Sequence, residues 1–192
     1  ESELTSNIRS RTYITLEGSI SLNAAGGTGT VFTISGVADF TIDGAGHSLS
    51  FDSSSDSNGR IFKIDTGSSV VLKNLTLANG YLEQTGSDPD YEAYGGAIYL
   101  DSSTLEMSSV LLSENTAGRV MGSSSGIPNG GTAIGGAIYS MNSNLTMASC
   151  TLSSNEARVD CSYYNYIYYK GKGGAIYAEN SIVTMYACTL SS

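Results

Sequence analysis

The sequence predicts an all-β parallel β-helix, a single-stranded solenoid of roughly six coils. Three observations predict it: a GGAIY segment occurs three times, apolar residues alternate in short runs between turn residues, and the composition disfavours long helices. Residues 95–115 read GGAIYLDSSTLEMSSVLLSEN and residues 135–155 read GGAIYSMNSNLTMASCTLSSN, identical at 12 of 21 positions. Residues 173–192 match the second copy at 14 of 20 positions. The starts lie 40 and 38 residues apart, so each period is a regular coil of about 21 residues plus a variable loop of 19 or 17 residues.

Each coil contains three short alternating runs, the pattern of half-buried strands. In the first copy Ile98 and Leu100, Leu105 and Met107, and Val110 and Leu112 take the inward places. Upstream, Lys63 must face solvent, so Phe62 and Ile64 face in, and the aligned Tyr99 faces out. The device recurs less regularly at Ile14/Leu16, Ile20/Leu22, Phe32/Ile34, Phe40/Ile42, Leu49/Phe51, Val70/Leu72 and Leu75/Leu77. One domain over 1–192 is expected, with an N-terminal cap and first coil in 1–30, irregular coils in 31–79, and GGAIY coils at 95–115, 135–155 and 173–192.

Stacking coils at about 4.8 Å lets each satisfy its neighbour's backbone. Inward ladders follow at Ile98, Ile138 and Ile176, at Met107, Met147 and Met185, and at Leu112, Leu152 and Leu190. The paired glycines at 95 and 96 fit the sharp corner where a loop re-enters its coil. Asn115 and Asn155 end the third strand, either as an amide ladder or as plain turn residues.

Composition excludes several functions. Of 192 residues, 18 are acidic and only nine are Lys or Arg, scattered, for a net charge of -9, which argues against nucleic acid. No apolar run approaches the roughly 20 residues of a membrane span, so no direct membrane insertion by this segment is expected. No signal peptide is visible, and the start at Glu1 without Met leads us to expect removed upstream sequence. The third copy stops one residue short of its Asn, as a fragment of a longer chain would. No cofactor and no metal are expected.

GGAI followed by a short strand pair and a Leu-x-x-Asn turn resembles the repeat of polymorphic outer-membrane proteins and related autotransporter-type adhesins. The stretches FTISGVADFTIDGAGHSLS and VVLKNLTLANG are similar to the first coils of right-handed β-helix surface proteins. The resemblance implies a right-handed helix and an extracellular or cell-surface, adhesive protein. The sequence departs from that repeat in carrying Leu112 and Leu152 where the family has Phe, and it has no trace of a C-terminal membrane barrel.

The candidate site is the face where loops 80–94, 116–134 and 156–172 leave one corner together. The third loop carries Tyr163, Tyr164, Tyr166, Tyr168 and Tyr169, and the first carries Tyr81, Tyr91 and Tyr94. Tyrosine suits contacts with proteins and sugar rings, although such rings also simply pack loops onto coils. Tyr99, Tyr139 and Tyr177 are expected as an outward aromatic strip. Such a ladder is either structural or a contact surface; if a partner covers the strip, Tyr139→Ser is expected to abolish association and leave the fold intact.

Cys150 and Cys188 share the position of Val110 and should be packed inward as thiols. A disulfide among Cys150, Cys161 and Cys188 remains the alternative. Asn74 and Asn144 head N-glycosylation sequons, which matter only in a glycosylating secretory route. Asp39, Asp43, His47, Asp65 and Asp101 are the nearest approach to a pectinase-type acid cluster. However, Asp43-Gly44 and Gly46-His47 read as turns, and Met141 and Glu179 interrupt the row through Asp65 and Asp101. A non-catalytic module making protein, glycan or self contacts is therefore expected. The alternatives are a fibre subunit stacked end to end and a polysaccharide lyase or hydrolase.

Overall fold

The computed structural model describes residues 1–23, 29–52, 59–85, 92–121, 132–161 and 170–192. Among them the chain is all-β apart from one short helix, Ser2–Ser6, and every strand-to-strand ladder is parallel. Four sheets run across the successive repeats.

The first sheet is six strands deep. It passes through Tyr13–Thr15, Phe40–Asp43, Ser69–Ala78, Thr104–Ser113, Asn144–Ala148 and Ile182–Tyr186, and is extended by Ile20–Ser21, Ser48–Ser50, Thr151–Ser153 and Thr189–Ser191. The second contains Thr30–Ser35, Arg60–Asp65, Ile98–Asp101, Ile138–Met141 and Ile176–Glu179. Each strand pairs with its equivalent one repeat away, so identical residues meet: Ile98 with Ile138 and Ile176, Met107 with Met147 and Met185, Leu112 with Leu152 and Leu190.

Alternation within each strand sends one set of side chains into a single apolar core. Phe32, Ile34, Phe40, Ile42, Leu49, Phe62, Ile64, Leu72, Leu77, Ile98, Leu100, Leu105 and Leu112 have no exposed surface. Each such burial contributes about 1.5–3 kcal/mol. Lys63 sits between Phe62 and Ile64 in register with Tyr99, as the phase argument required. At the N-terminal end Leu4 of the helix is buried in the same core, over the first repeat.

The corners between strands are left-handed. Thr66, Ser102, Asn142 and Asn180 turn the first corner with φ of 59, 49, 50 and 49°, and Asn74, Ser109, Ser149 and Ala187 turn the second at 49, 53, 53 and 50°. None of these is Gly, so the stack absorbs a conformational cost at each of these corners. Serine hydroxyls bind the backbone beside the first corner. Ser68 N donates to Ser103 Oγ (3.0 Å), Ser103 N to Ser143 Oγ (3.1 Å), and Ser143 N to Ser181 Oγ (3.1 Å). This buried serine ladder was not anticipated. Its signal was present in the sequence, because Ser68, Ser103, Ser143 and Ser181 each stand two residues before the inward Val70, Leu105, Leu145 or Val183.

The Asn positions form a true amide ladder. Asn115 Nδ2 donates to Leu77 O and to Asn155 Oδ1, both at 3.0 Å, and Asn115 Oδ1 accepts Gly80 N at 2.9 Å. Asn155 repeats the contact to Leu112 O at 2.9 Å.

One expectation is corrected. The segments 80–94, 116–134 and 156–172 are not loops throughout, because their ends are strands. Tyr81–Thr85, Thr116–Met121 and Glu156–Cys161 form a third parallel sheet, and Glu92–Tyr94, Thr132–Ile134 and Lys170–Lys172 form a fourth. The register that aligns the repeats continues into their insertions, so backbone groups that a loop would leave to water are paired across repeats.

Candidate binding surface

The third and fourth sheets contact one another and form a small two-layer projection. Each strand carries a small or apolar residue at its second position. Leu82, Ala117 and Ala157 are in register in one layer, and Ala93, Ala133 and Gly171 in the other. Leu82, Ala117, Ala93 and Ala133 are buried but lie outside the main core cluster, so the projection has an apolar seam of its own. The layers approach closely enough that a Cβ at Gly171 would lie 2.2 Å from Ala157 O.

The base of the projection is fixed at the glycine pair. Gly95, Gly135 and Gly173 have φ of 61, 65 and 62°, and a Cβ on Gly96 would come within 2.5 Å of both Gly136 O and Thr116 O. GGAIY thus marks the point where the projection returns to the stack.

The tyrosine ladder exists, but it is not an open strip. Tyr99 and Tyr139 stack at 5.4 Å between centroids and 21°, and Tyr139 and Tyr177 at 5.8 Å and 5°. Tyr94, from the fourth sheet, packs on Tyr139 at 4.4 Å and edge-on to Tyr99 at 6.2 Å. Tyr139 is consequently only 4% exposed, while Tyr99 and Tyr177 are half-buried. This overturns the expectation that Tyr139 faces solvent. The unforeseen strand Glu92–Tyr94 supplies the cover. Burial raises the phenol pKa of both Tyr139 and Tyr99, with Glu179 and Asp101 respectively the next cause.

Arg60 holds this cover down. Its Nη2 and Nε donate to Tyr94 O at 2.6 and 3.2 Å, Nε also reaches Gly95 O at 3.1 Å, and Nη1 donates to Thr30 Oγ1 at 3.2 Å. The guanidinium carbon lies 4.9 Å from the Tyr99 ring centroid, a cation–π contact. Desolvation lowers the Arg60 pKa to about 10, so the charge persists at neutral pH. The Tyr94 hydroxyl donates to the Glu92 carboxylate. Sequence reasoning missed Arg60, because nothing in RIFKID separates a strut from a solvated charge.

On the third sheet, Tyr81 lies across Gly118, whose missing Cβ would be 3.1 Å from the phenol oxygen. Glu83, Gly118 and Arg158 occupy one register row. This places an aromatic ring beside an acid and a base on the projection. Tyr163, Tyr164, Tyr166, Tyr168 and Tyr169, like Tyr91, lie outside the described residues.

The remaining candidates are placed as follows. Cys150 is buried and Cys188 half-buried, both as free thiols, and the Cys161 side chain lies outside the described residues. Asn144 and Thr146 are exposed on either side of buried Leu145. Asn74 turns a corner and donates to Asp43 Oδ1 at 3.1 Å, so that amide is engaged. The carboxylates serve their own corners. Asp43 accepts Ala45 N at 3.0 Å, Tyr13 Oη at 2.8 Å and an ion pair from Lys73 at 3.3 Å, which together hold its pKa well below the usual range. Asp65 pairs with Lys63 at 2.8 Å, and Asp101 accepts Ser102 Oγ at 2.9 Å. His47 N closes its turn on Gly44 O at 2.8 Å. Among the described residues, no group of three or more His, Cys, Asp or Glu gathers for a metal ion.

Residues 149–179 match the Chlamydia polymorphic membrane protein repeat. The match spans the end of one repeat, its insertion and the next GGAIY, and links the chain to the polymorphic outer-membrane proteins. No curated protein and no solved structure matches the chain. Among the described residues no helix is long and apolar enough to cross a membrane, which leaves β-barrels unaddressed.

Proposed function

We propose that this chain is a right-handed parallel β-helix module of an extracellular, cell-surface protein. It acts as a non-catalytic adhesive element, and the projection is its contact surface for a partner protein or glycan. The observation that carries the reading is the pairing of the insertions into two parallel sheets. A rigid two-layer projection presents side chains at low entropic cost, which loose insertions do not. The repeat match over 149–179 agrees with a surface setting.

Two other readings are weaker. End-to-end stacking into fibres is opposed at the N-terminal end, where the helix with buried Leu4 covers the first repeat and would have to move. A pectinase-type enzyme needs carboxylates converging on one face, whereas Asp43, Asp65 and Asp101 are each engaged locally.

The test is binding of the purified chain to arrays of immobilised glycans and surface proteins. A variant with residues 80–94, 116–134 and 156–172 replaced by short turns is measured in parallel. The reading expects binding by the parent and none by a variant that keeps its β circular dichroism. Equal binding by both would place the contact elsewhere. Electron micrographs showing filaments would favour the fibre reading, and unsaturated products from polygalacturonate with Ca²⁺ would favour the lyase.

A further inference from the structure

We propose that Arg60 is the positioning residue of the projection: its guanidinium stands in for a missing strand and latches the first edge of the projection to the stack, whatever the projection binds. Tyr81–Thr85 and Glu92–Tyr94 are the edge strands of the third and fourth sheets on the N-terminal side. Among the described residues no earlier repeat adds a strand to either sheet. Such an edge presents backbone groups that lack a ladder partner.

The register shows how this edge is closed. Phe62 pairs with Ile98, so Gly59-Arg60 stands where the later repeats carry Gly95-Gly96, Gly135-Gly136 and Gly173-Gly174. In those repeats the first glycine continues the ladder of the fourth sheet: Gly135 N donates to Lys172 O at 2.8 Å and Gly95 N to Ile134 O at 3.0 Å. The next bond of that series would run from Gly59 N to Tyr94 O. Instead, Gly59 N donates to Tyr81 O at 2.8 Å and Tyr81 N donates to Gly59 O at 3.1 Å, an antiparallel bridge at the edge of the third sheet. Tyr94 O accepts from the Arg60 side chain, Nη2 at 2.6 Å and Nε at 3.2 Å, and Gly95 O accepts Nε at 3.1 Å. Two consecutive residues therefore close both sheets, one with its backbone and one with its side chain.

The later repeats have no room for such a side chain. A Cβ on Gly96 would run into Gly136 O and Thr116 O, and one on Gly136 into Gly174 O. At position 60 a whole arginine fits, and its fork is held from three sides: by the two carbonyls, by Thr30 Oγ1 at 3.2 Å and by the Tyr99 ring. A lysine head is compact and cannot reach all of these at once. Tyr94, Ile134 and Lys172 form one register row of the fourth sheet. Tyr94 lies on Tyr99 and Tyr139 at one end of that row, and Lys172 Nζ lies 6.0 Å from the Tyr177 ring centroid at the other. Releasing Tyr94 frees the row at its first member and uncovers Tyr139.

The test is amide hydrogen exchange on the full chain, comparing the parent with Arg60→Met, which keeps the stem without the donors, and with Arg60→Lys. Arg60→Met should lose protection over 92–95 by roughly 10–100-fold, while 104–113 in the main stack exchanges at the parent's rate. Arg60→Lys should fall between the two, and it carries the same comparison if Arg60→Met does not fold. Protection over 92–95 equal to the parent's in both variants would overturn the proposal. So would a loss shared equally by 104–113, because Arg60 would then support the whole stack rather than position the projection.

Discussion

Asn115 donates from its amide nitrogen to the amide oxygen of Asn155 at 3.0 Å, one repeat away, while its own oxygen accepts Gly80 N. Asn115 has no exposed surface, so every group it binds depends on it. Asn115→Ala leaves Gly80 N and Leu77 O unpaired and should destabilise the chain by about 2–4 kcal/mol. Asn115→Asp should also be destabilising, because it buries a carboxylate against Asn155 Oδ1 and the Leu77 carbonyl. Denaturant unfolding followed by circular dichroism reads both.

Tyr139 is a packing residue under the cover of Tyr94. Tyr139→Ser should lower stability by about 3–5 kcal/mol, in line with other large-to-small core changes. Tyr139→Phe loses only the hydroxyl contact to Met141 Sδ at 3.6 Å and should cost less than about 1 kcal/mol. A Ser variant as stable as the parent would return the tyrosine ladder to the surface.

Ser109 is exposed and left-handed at φ 53°. Ser109→Gly removes the Cβ penalty of that region, against a smaller entropic loss in the unfolded chain, and should stabilise by up to about 1 kcal/mol. A shift of the unfolding midpoint to higher denaturant is the expected result.

Asp43 and Asp65 both have depressed pKa values, Asp43 chiefly through Ala45 N and Asp65 chiefly through Lys63. A depressed folded-state pKa contributes stability that is complete above the unfolded value, near about 4, and lost as pH falls through the folded value. Stability should therefore be flat through neutral pH and decline below about pH 4. Asp65→Asn should flatten part of that decline, measured by melting temperature against pH.

The stack itself was legible because its period is written in identical residues. GGAIY fixed the register, and Lys63 between Phe62 and Ile64 fixed the phase. The projection was not, because its strands carry no long apolar alternation. TAGRVM, EARVDC and KGK offer only one or two small residues each, and their pairing comes from the register of the repeats on either side. Tyr139 was misplaced for the same reason: an outward residue on one sheet is covered by Tyr94 from a sheet that propensity could not reveal. The role of Arg60 is likewise a product of stacking rather than of local sequence, whereas the serine ladder was written in a Ser two residues before each inward Val70, Leu105, Leu145 and Val183.

The most direct test of the central claim is amide hydrogen exchange over 116–118 and 132–134, in the middle strands of the projection. If the insertions are paired sheets, these amides should be protected to a degree approaching those of 104–113 in the main stack. Exchange at the rate of an unstructured chain would contradict the projection and, with it, the surface on which the function rests.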